Sequence, residues 1–369
     1  MTEQKFLKPL NIGGLEIRIP ILQGGMGVKV STASLAGAVA NCGGAGIIAS
    51  VGLGYGTKDY GKHFVEASGE GLRIELRDAK KISKGAIGVN ILVALSNYED
   101  LVKVAVEEKA DFIVSGAGLP LKLPEIIGDS PIKLIPIVSH PRVAELIIKA
   151  WKKRYNRLPD AILVEGPHAG GHLGFKSDEL RSDTADSLES LTKTVLEVIA
   201  KNVGSDGSKI PLIVAGGVYT GSDIAKFIRL GASGVQMATR FVATHECSVA
   251  QEFKDLFVAT SDPEELIIID SPVGLPGRAI KNKFVTRLMQ GEKIPVKCTY
   301  RCLKTCNPAV APYCIADALC RASIGDLDKA IVFAGTNVTR VKEIVSVKEL
   351  MDELVREAEA DLSGEKSAR

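Results

Sequence analysis

The chain has 369 residues, 46 of them basic and 44 acidic, for a net charge of +2. That balance, with no basic run longer than Lys152-Lys153-Arg154, argues against nucleic acid as the main partner, because a phosphate backbone is met by a basic face. At 46% hydrophobic and 24% charged the composition excludes disorder for most of the chain, and the length allows a large core without disulfide staples.

From the amino end, Met1 to Pro20 mixes Glu3, Lys5, Lys8 and Glu16 with short apolar pieces and contains no continuous apolar h-region. A soluble cytoplasmic protein is expected. Val30 to Thr57 is free of charge but holds seven glycines, which reads as a buried helix followed by a buried strand rather than a membrane span. Eight short apolar runs then punctuate the chain: Ile19–Met26, Gly44–Ser50, Ala86–Ala94, Phe112–Gly118, Lys133–Ser139, Ala161–Gly166, Pro211–Gly217 and Gly234–Arg240. None alternates apolar with polar, which suits strands covered on both faces. Between them the spacing predicts helices over Ser31–Cys42, Tyr98–Ala110, Pro141–Tyr155, Asp186–Lys201, Thr220–Leu230 and Ser248–Thr260.

Eight buried strands alternating with helices predict an α/β fold, a (β/α)8 TIM barrel. A doubly wound open sheet competes, but the first run ends in Gly24-Gly25-Met26-Gly27, which lacks the G-x-G-x-x-G spacing. Two segments fall outside the alternation. Val51–Lys84 reads as a long charged connection. Residues 261–369 follow the eighth strand as a carboxyl-terminal extension with prolines, a cysteine cluster and a helix over Ser346–Ala360, so residues 1–260 are expected to form the barrel and 261–369 a cap.

A barrel of this kind builds its site at the carboxyl ends of the strands. Gly24-Gly25-Met26-Gly27 is either a tight turn or a place where backbone meets a flat ligand. Gly216-Gly217 after strand seven and Ala238-Thr239 after strand eight have the order of a phosphate site, with amides and a hydroxyl facing an anion. Glu165 to Gly174 holds His168, His172 and four glycines. The four-residue spacing of the histidines would suit a metal on a helix, but the glycines and Pro167 oppose a helix, and a catalytic base on a shaped loop is the preferred reading. Asn90, inside an apolar strand, needs partners from a ligand or a neighbouring loop.

These residues resemble the nitronate monooxygenase (2-nitropropane dioxygenase) family, which includes the related flavin-dependent enoyl-ACP reductase. The resemblance rests on PILQGGMG at the start, GVN at 88–90, HAGGHLG at 168–174 and the long block from Ala215 to Cys247, and spans about Ile19 to Asn282. It implies non-covalent FMN. Gly25 and Met26 would lie against its ring, Asn90 and Glu165 beside it, Gly170 and Gly171 in the adjoining loop, and Gly216, Gly217, Ala238 and Thr239 at the phosphate. His172 matches the family's catalytic base. The chain departs in having Glu165 where the family usually has Gln, Ala238 where it has Gly, and His168 where it often has Glu.

The cysteines lie outside these motifs. Cys298, Cys302, Cys306, Cys314 and Cys320 are spaced C-x3-C-x3-C-x7-C-x5-C. Thiolates of Cys298, Cys302, Cys306 and Cys314 would hold zinc or an iron–sulfur cluster. The other reading is a set of reduced thiols on a helical cap, spaced by helical periodicity. Expected functions are oxidation of alkyl nitronates by O2 to a carbonyl compound and nitrite, NAD(P)H-dependent flavin reduction with an enoyl-ACP or quinone acceptor, or flavin binding alone. A small-molecule substrate is expected, with no nucleic-acid or membrane partner; a homo-oligomer is left open.

Overall fold

The computed structural model describes residues 6–57, 61–203, 207, 209–298 and 301–364. Eight parallel strands stand side by side in a nearly closed ring: β1 (Ile21–Gln23), β2 (Gly46–Ala49), β3 (Ile87–Leu92), β4 (Phe112–Gly116), β5 (Lys133–Val138), β6 (Ile162–Glu165), β7 (Leu212–Ala215) and β8 (Gly234–Met237). β8 pairs back onto β1, and one parallel bridge, Leu22 to Ala45, joins β1 to the edge of β2. The fold is a (β/α)8 barrel, as the apolar runs predict.

The period of two along each strand sorts the core. Leu22, Ile47, Phe112, Val114, Ile135, Leu163 and Ile213 point into the barrel. Their neighbours Ile21, Ile48, Val89, Ile113, Leu134, Val164, Val214 and Val235 pack outward against the helices. Gly88 faces inward beside Phe112; a Cβ there would come within 2.2 Å of the Phe112 ring, so the phenyl fills the space that β3 leaves. An amino-terminal hairpin, Leu10–Ile12 paired with Leu15–Ile17, seals the floor with buried Leu10, Ile12 and Ile17.

The ring of helices comprises α1 (Ala33–Asn41), α2 (Phe64–Ile82), α3 (Tyr98–Glu107), α4 (Leu123–Ile127), α5 (Pro141–Tyr155), α6 (Leu188–Ala200), α7 (Gly221–Arg229) and α8 (Gln251–Ala259). Local chemistry fixes their ends. α5 begins where His140 Nδ1 accepts from the Arg142 amide at 3.1 Å and stops at Asn156, left-handed at φ 49°. α7 opens on a reciprocal box between Thr220 and Asp223. The segment read as the long connection Val51–Lys84 contains α2, 19 residues long. Gly69 and Gly71 fall inside this helix and not in a turn. Gly71 instead lets the helix run against Leu53, whose backbone a Cβ would meet at 2.8 Å.

Beyond Ala259, β9 (Leu266–Asp270) pairs antiparallel with β10 (Pro276–Ile280), and β10 pairs with Gly171–His172 from the loop after β6. α9 (Ile315–Ser323) follows, then α10 (Val347–Ser363), which starts on a Ser346–Glu349 box and ends at left-handed Gly364. α10 lies on α7: the Gly221 amide donates to Glu357 at 2.9 Å, and a Cβ on Gly221 would sit 2.5 Å from the Leu354 carbonyl. Among the described residues no helix is long and apolar enough to cross a membrane.

Leu354 is fully buried in that seam. Leu354→Ala is expected to cost about 2–5 kcal/mol of unfolding free energy in a urea titration. Lys348→Ala, on the exposed face of the same helix, should stay within about 0.5 kcal/mol.

Candidate active site

The same alternation that sorts the core decides what faces the carboxyl end of the barrel. One step above the interior layer of Val114, Ile135, Leu163 and Ile213, the next inward positions are Asn90, Ile137, Glu165 and Gln236, and all four line one cavity of about 260 Å³. Sequence reading flagged Asn90 and Glu165 but passed over Gln236, which sits in the short run GVQM.

The turn after β1 forms one wall. Ser31 Oγ receives the Gln23 side-chain amide at 2.7 Å and the Met26 amide at 3.0 Å, and donates to the Gly24 carbonyl at 3.0 Å, so one hydroxyl folds Gly24–Met26 into shape. Gly25 is bare because Asn90 lies against it: a Cβ would come within 2.3 Å of the Asn90 Cβ. Both readings of this turn therefore meet in one place. Gly25 and Met26 make tight packing contacts and also line the cavity.

The opposite wall is the loop after β6. Arg278 on β10 is buried, and its guanidinium donates to the carbonyls of Pro167 and Ala169, the latter at 2.8 Å. Next to it, Leu173 donates to the Pro276 carbonyl at 2.8 Å, which fixes His172 in register with Gly277. Gly170 is backed by the carboxyl-terminal segment: a Cβ would meet the Ala334 carbonyl carbon at 2.5 Å. Phe333, Ala334 and Gly335 from that segment join the lining. Arg278 and residues 333–335 are site elements that the sequence reading missed. Their signal was a small-residue run, AGTN, and a lone arginine beside a glycine.

His172 Nε2 lies 2.8 Å from Ser271 Oγ, and its ring meets Phe333 edge-on with centroids 5.0 Å apart. Enclosure between these groups pushes the imidazole down to about 4, so it is neutral at pH 7. Burial acts on Glu165 in the opposite sense and pushes its carboxyl up to about 7. Two titratable groups of one cavity are thus moved apart by the same cause, a pattern typical of acid and base pairs.

The phosphate-end residues divide. Ala238 and Thr239, at the start of the short helix Thr239–Val242, line the cavity; Gly216 and Gly217 do not. Gly216, at φ 81°, packs against the Gly166 carbonyl, where a Cβ would sit at 2.7 Å, and the Gly217 carbonyl accepts from the Asn337 side chain at 3.1 Å. His168 lies beside them without lining the cavity, and its Nδ1 is buried without a hydrogen-bond partner. Among the described residues four further buried polar atoms lack partners: Ser50 Oγ, Ser68 Oγ, Asn97 Oδ1 and Gln236 Oε1. All four belong to residues that line the cavity. Each unmet group costs about 1–3 kcal/mol, so their concentration at one place marks where a polar ligand compensates.

The cysteine readings need correction. The stretch from Gly291 to Tyr313, with Pro295, Pro308 and Pro312, forms no helix where it is described, so the four-residue spacing does not stack thiols on a helix face; only Cys320 lies within α9, with Cys314 at its cap. Among the described residues no group of three or more His, Cys, Asp or Glu is placed to hold a metal ion, so a zinc or iron–sulfur centre at Cys298, Cys302, Cys306 and Cys314 has no support. Cys302 and Cys320 instead line the cavity; burial first, then neighbouring thiols for Cys302 and Asp317 ahead of the thiols for Cys320, pushes each up to about 12. The stretch is a clasp on the barrel: Leu303 bridges Leu95, and the Lys304 ammonium reaches the Val93 carbonyl at 2.9 Å.

Comparison with known proteins follows this geometry. The family described as "Nitronate monooxygenase" matches residues 8–108 and 72–357. A "Probable nitronate monooxygenase" of Staphylococcus saprophyticus is 25% identical over 309 residues, covering 77% of this chain and 81% of the relative. A Mycobacterium tuberculosis protein, "(3aS,4S,5R,7aS)-5-hydroxy-7a-methyl-1-oxo-octahydro-1H-indene-4-carboxyl-CoA dehydrogenase", is 27% identical over 75% of this chain and 67% of its own. Among solved structures, FabK from Thermotoga maritima superposes with a TM-score of 0.72 at 28% identity, covering 94% of both chains. The nitroalkane oxidase of Streptomyces ansochromogenes shares the fold, with a TM-score of 0.72 at 21% identity over 94% of this chain and 97% of that one.

If enclosure alone depresses His172, opening the wall should undo it. In NMR titrations the ring is expected near pH 4 in the parent and to move up toward its ordinary value of about 6.5 in Phe333→Ala, which admits water. An unchanged midpoint would show that another group sets it.

Proposed function

The chain belongs to the nitronate monooxygenase family, and on that premise we propose that it is an FMN-dependent oxidoreductase that oxidises alkyl nitronates with O2 to a carbonyl compound and nitrite. Membership makes it an enzyme of the flavin oxidoreductase type. The observation that supports the cofactor reading is the gathering of partnerless polar groups, Ser50, Ser68, Asn97 and Gln236, around a cavity walled on two sides by bare backbone at Gly25 and Gly170–Gly171. A flat ring with polar edges is the shape and chemistry these walls accept. Met26, Asn90 and Glu165 would lie beside the ring, and Ala238 and Thr239 at the phosphate. Gly216 and Gly217 would act from behind, by shaping the loop. When bound, FMN supplies two-electron exchange with the substrate and with oxygen.

The chain's own residues account for the rest. Neutral His172 is the base: it accepts the proton from the carbon bearing the nitro group of a neutral substrate, with its ring held by Ser271 and Phe333. An imidazole that low is uncharged at neutral pH, which suits a base and not a cation that holds the anionic nitronate. Phe253, Phe257, Ile315 and Leu319 make the far end of the cavity apolar and exclude water from the reacting face.

A second reading, an NAD(P)H-dependent reductase acting on an enoyl thioester or a quinone, draws on the likeness to FabK and on the same apolar end, which suits a bulkier acceptor.

Anaerobic mixing separates the two. Bleaching of a flavin spectrum by a nitronate and not by NADH supports the monooxygenase; rapid bleaching by NADH moves the protein to the reductase class; a protein without flavin overturns both. In the first case His172→Ala should lower kcat/KM for a neutral nitroalkane by about 10²–10⁴-fold and leave the preformed nitronate far less affected.

A further inference from the structure

Glu165 is the residue of this site with the least company. It ends β6, two residues after inward-facing Leu163, and so enters the cavity at its polar level. The strands beside it offer Ile137 from β5 and Ala215 from β7, neither titratable. The other ionisable groups that line the cavity are His172, further along the loop that Glu165 leads into, and the thiols of Cys302 in the clasp and Cys320 in α9. Arg278, on β10, is engaged with the carbonyls of Pro167 and Ala169 in that loop. Among the described residues no hydrogen bond or ion pair engages the Glu165 carboxyl.

An isolated carboxylate in such surroundings is costly, and the group keeps its proton instead. A carboxylate only accepts hydrogen bonds, whereas the neutral acid also donates one. We propose that Glu165 stands in the cavity as a neutral carboxylic acid, a second proton-bearing group beside His172, and that its ionisation sets how tightly the cavity holds flavin. This rests on the flavin reading above. The neutral form donates to an acceptor at the edge of the ring. The ionised form loses that bond and adds a negative charge to a low-dielectric space that must also take the phosphate of FMN. The raised acidity constant, about 7, puts the change in the neutral range. The effect has one sign: binding is tighter with the proton on, so affinity falls as pH rises.

The test compares FMN binding to apoprotein, by quenching of flavin fluorescence, in the parent and in Glu165→Gln, from about pH 6 to about pH 8.5, a span that brackets the raised carboxyl. In the parent the dissociation constant should climb about tenfold per pH unit once above about 7, as one linked proton requires. In Glu165→Gln it should be flat once the shared titration of the FMN phosphate is subtracted, and riboflavin, which has no phosphate, should show the same contrast. Parallel curves in parent and variant overturn the inference while leaving flavin binding intact. Failure of both proteins to bind FMN overturns the flavin reading and this inference with it. A second measurement needs no variant to fold: infrared difference spectra of the parent should show the carbonyl stretch of a neutral carboxylic acid lost as pH rises through about 7, and absence of that band at about pH 6 refutes the proposal.

Discussion

One buried guanidinium holds the open end of this barrel in shape. Arg278 carries its charge into the protein, and its guanidinium donates to two carbonyls of the loop after β6. Burial pulls its acidity constant downward, yet an arginine stays charged under any ordinary condition, so the loop cannot relax without stranding a cation. The pairing of β10 with Gly171–His172 and the close seat of Ala334 on Gly170 hold the same loop. The site is therefore built by residues more than 100 positions apart in sequence.

The energetics of the cavity show why such an anchor is needed. Its two titratable groups tie stability to pH in opposite directions. His172, depressed to about 4, leaves the unfolded chain with more bound protons above that value, so stability rises with pH up to the ordinary histidine range. Glu165, raised to about 7, leaves the folded chain with more bound protons, so stability falls as pH rises from the ordinary carboxyl range toward 7. Between about 4.5 and about 6.5 the two slopes oppose each other. A cavity that must keep one base neutral and one acid neutral does so with little net dependence on acidity there.

How much of this could be read from the residues follows from range. The strands were legible because eight apolar runs covered on both faces have no other common home, and Asn90 and Glu165 were legible because polar residues at strand ends stand out against such runs; His172 was told from His168 only by the family resemblance. Helix α2 was not, since glycines interrupt its pattern, and the packing reason for Gly71 appears only once Leu53 is beside it. Arg278, Ser271 and the 333–335 segment were invisible because their roles exist only across the fold. The cysteine spacing misled for the same reason in reverse: a local period of four suggested a helix, but the prolines between and around the thiols impose an irregular path.

The hairpin at the floor has a further consequence. Leu10, Ile12 and Ile17 pack solidly with inward-facing Leu22, Ile47, Phe112 and Ile213 at the amino-terminal end of the barrel. The cavity is built at the other end, where Leu303, from the clasp fastened to the loop after β3, is part of its wall. Loss of packing at Leu10, Ile12 and Ile17 would act on the stability of the barrel and not on the groups that line the cavity.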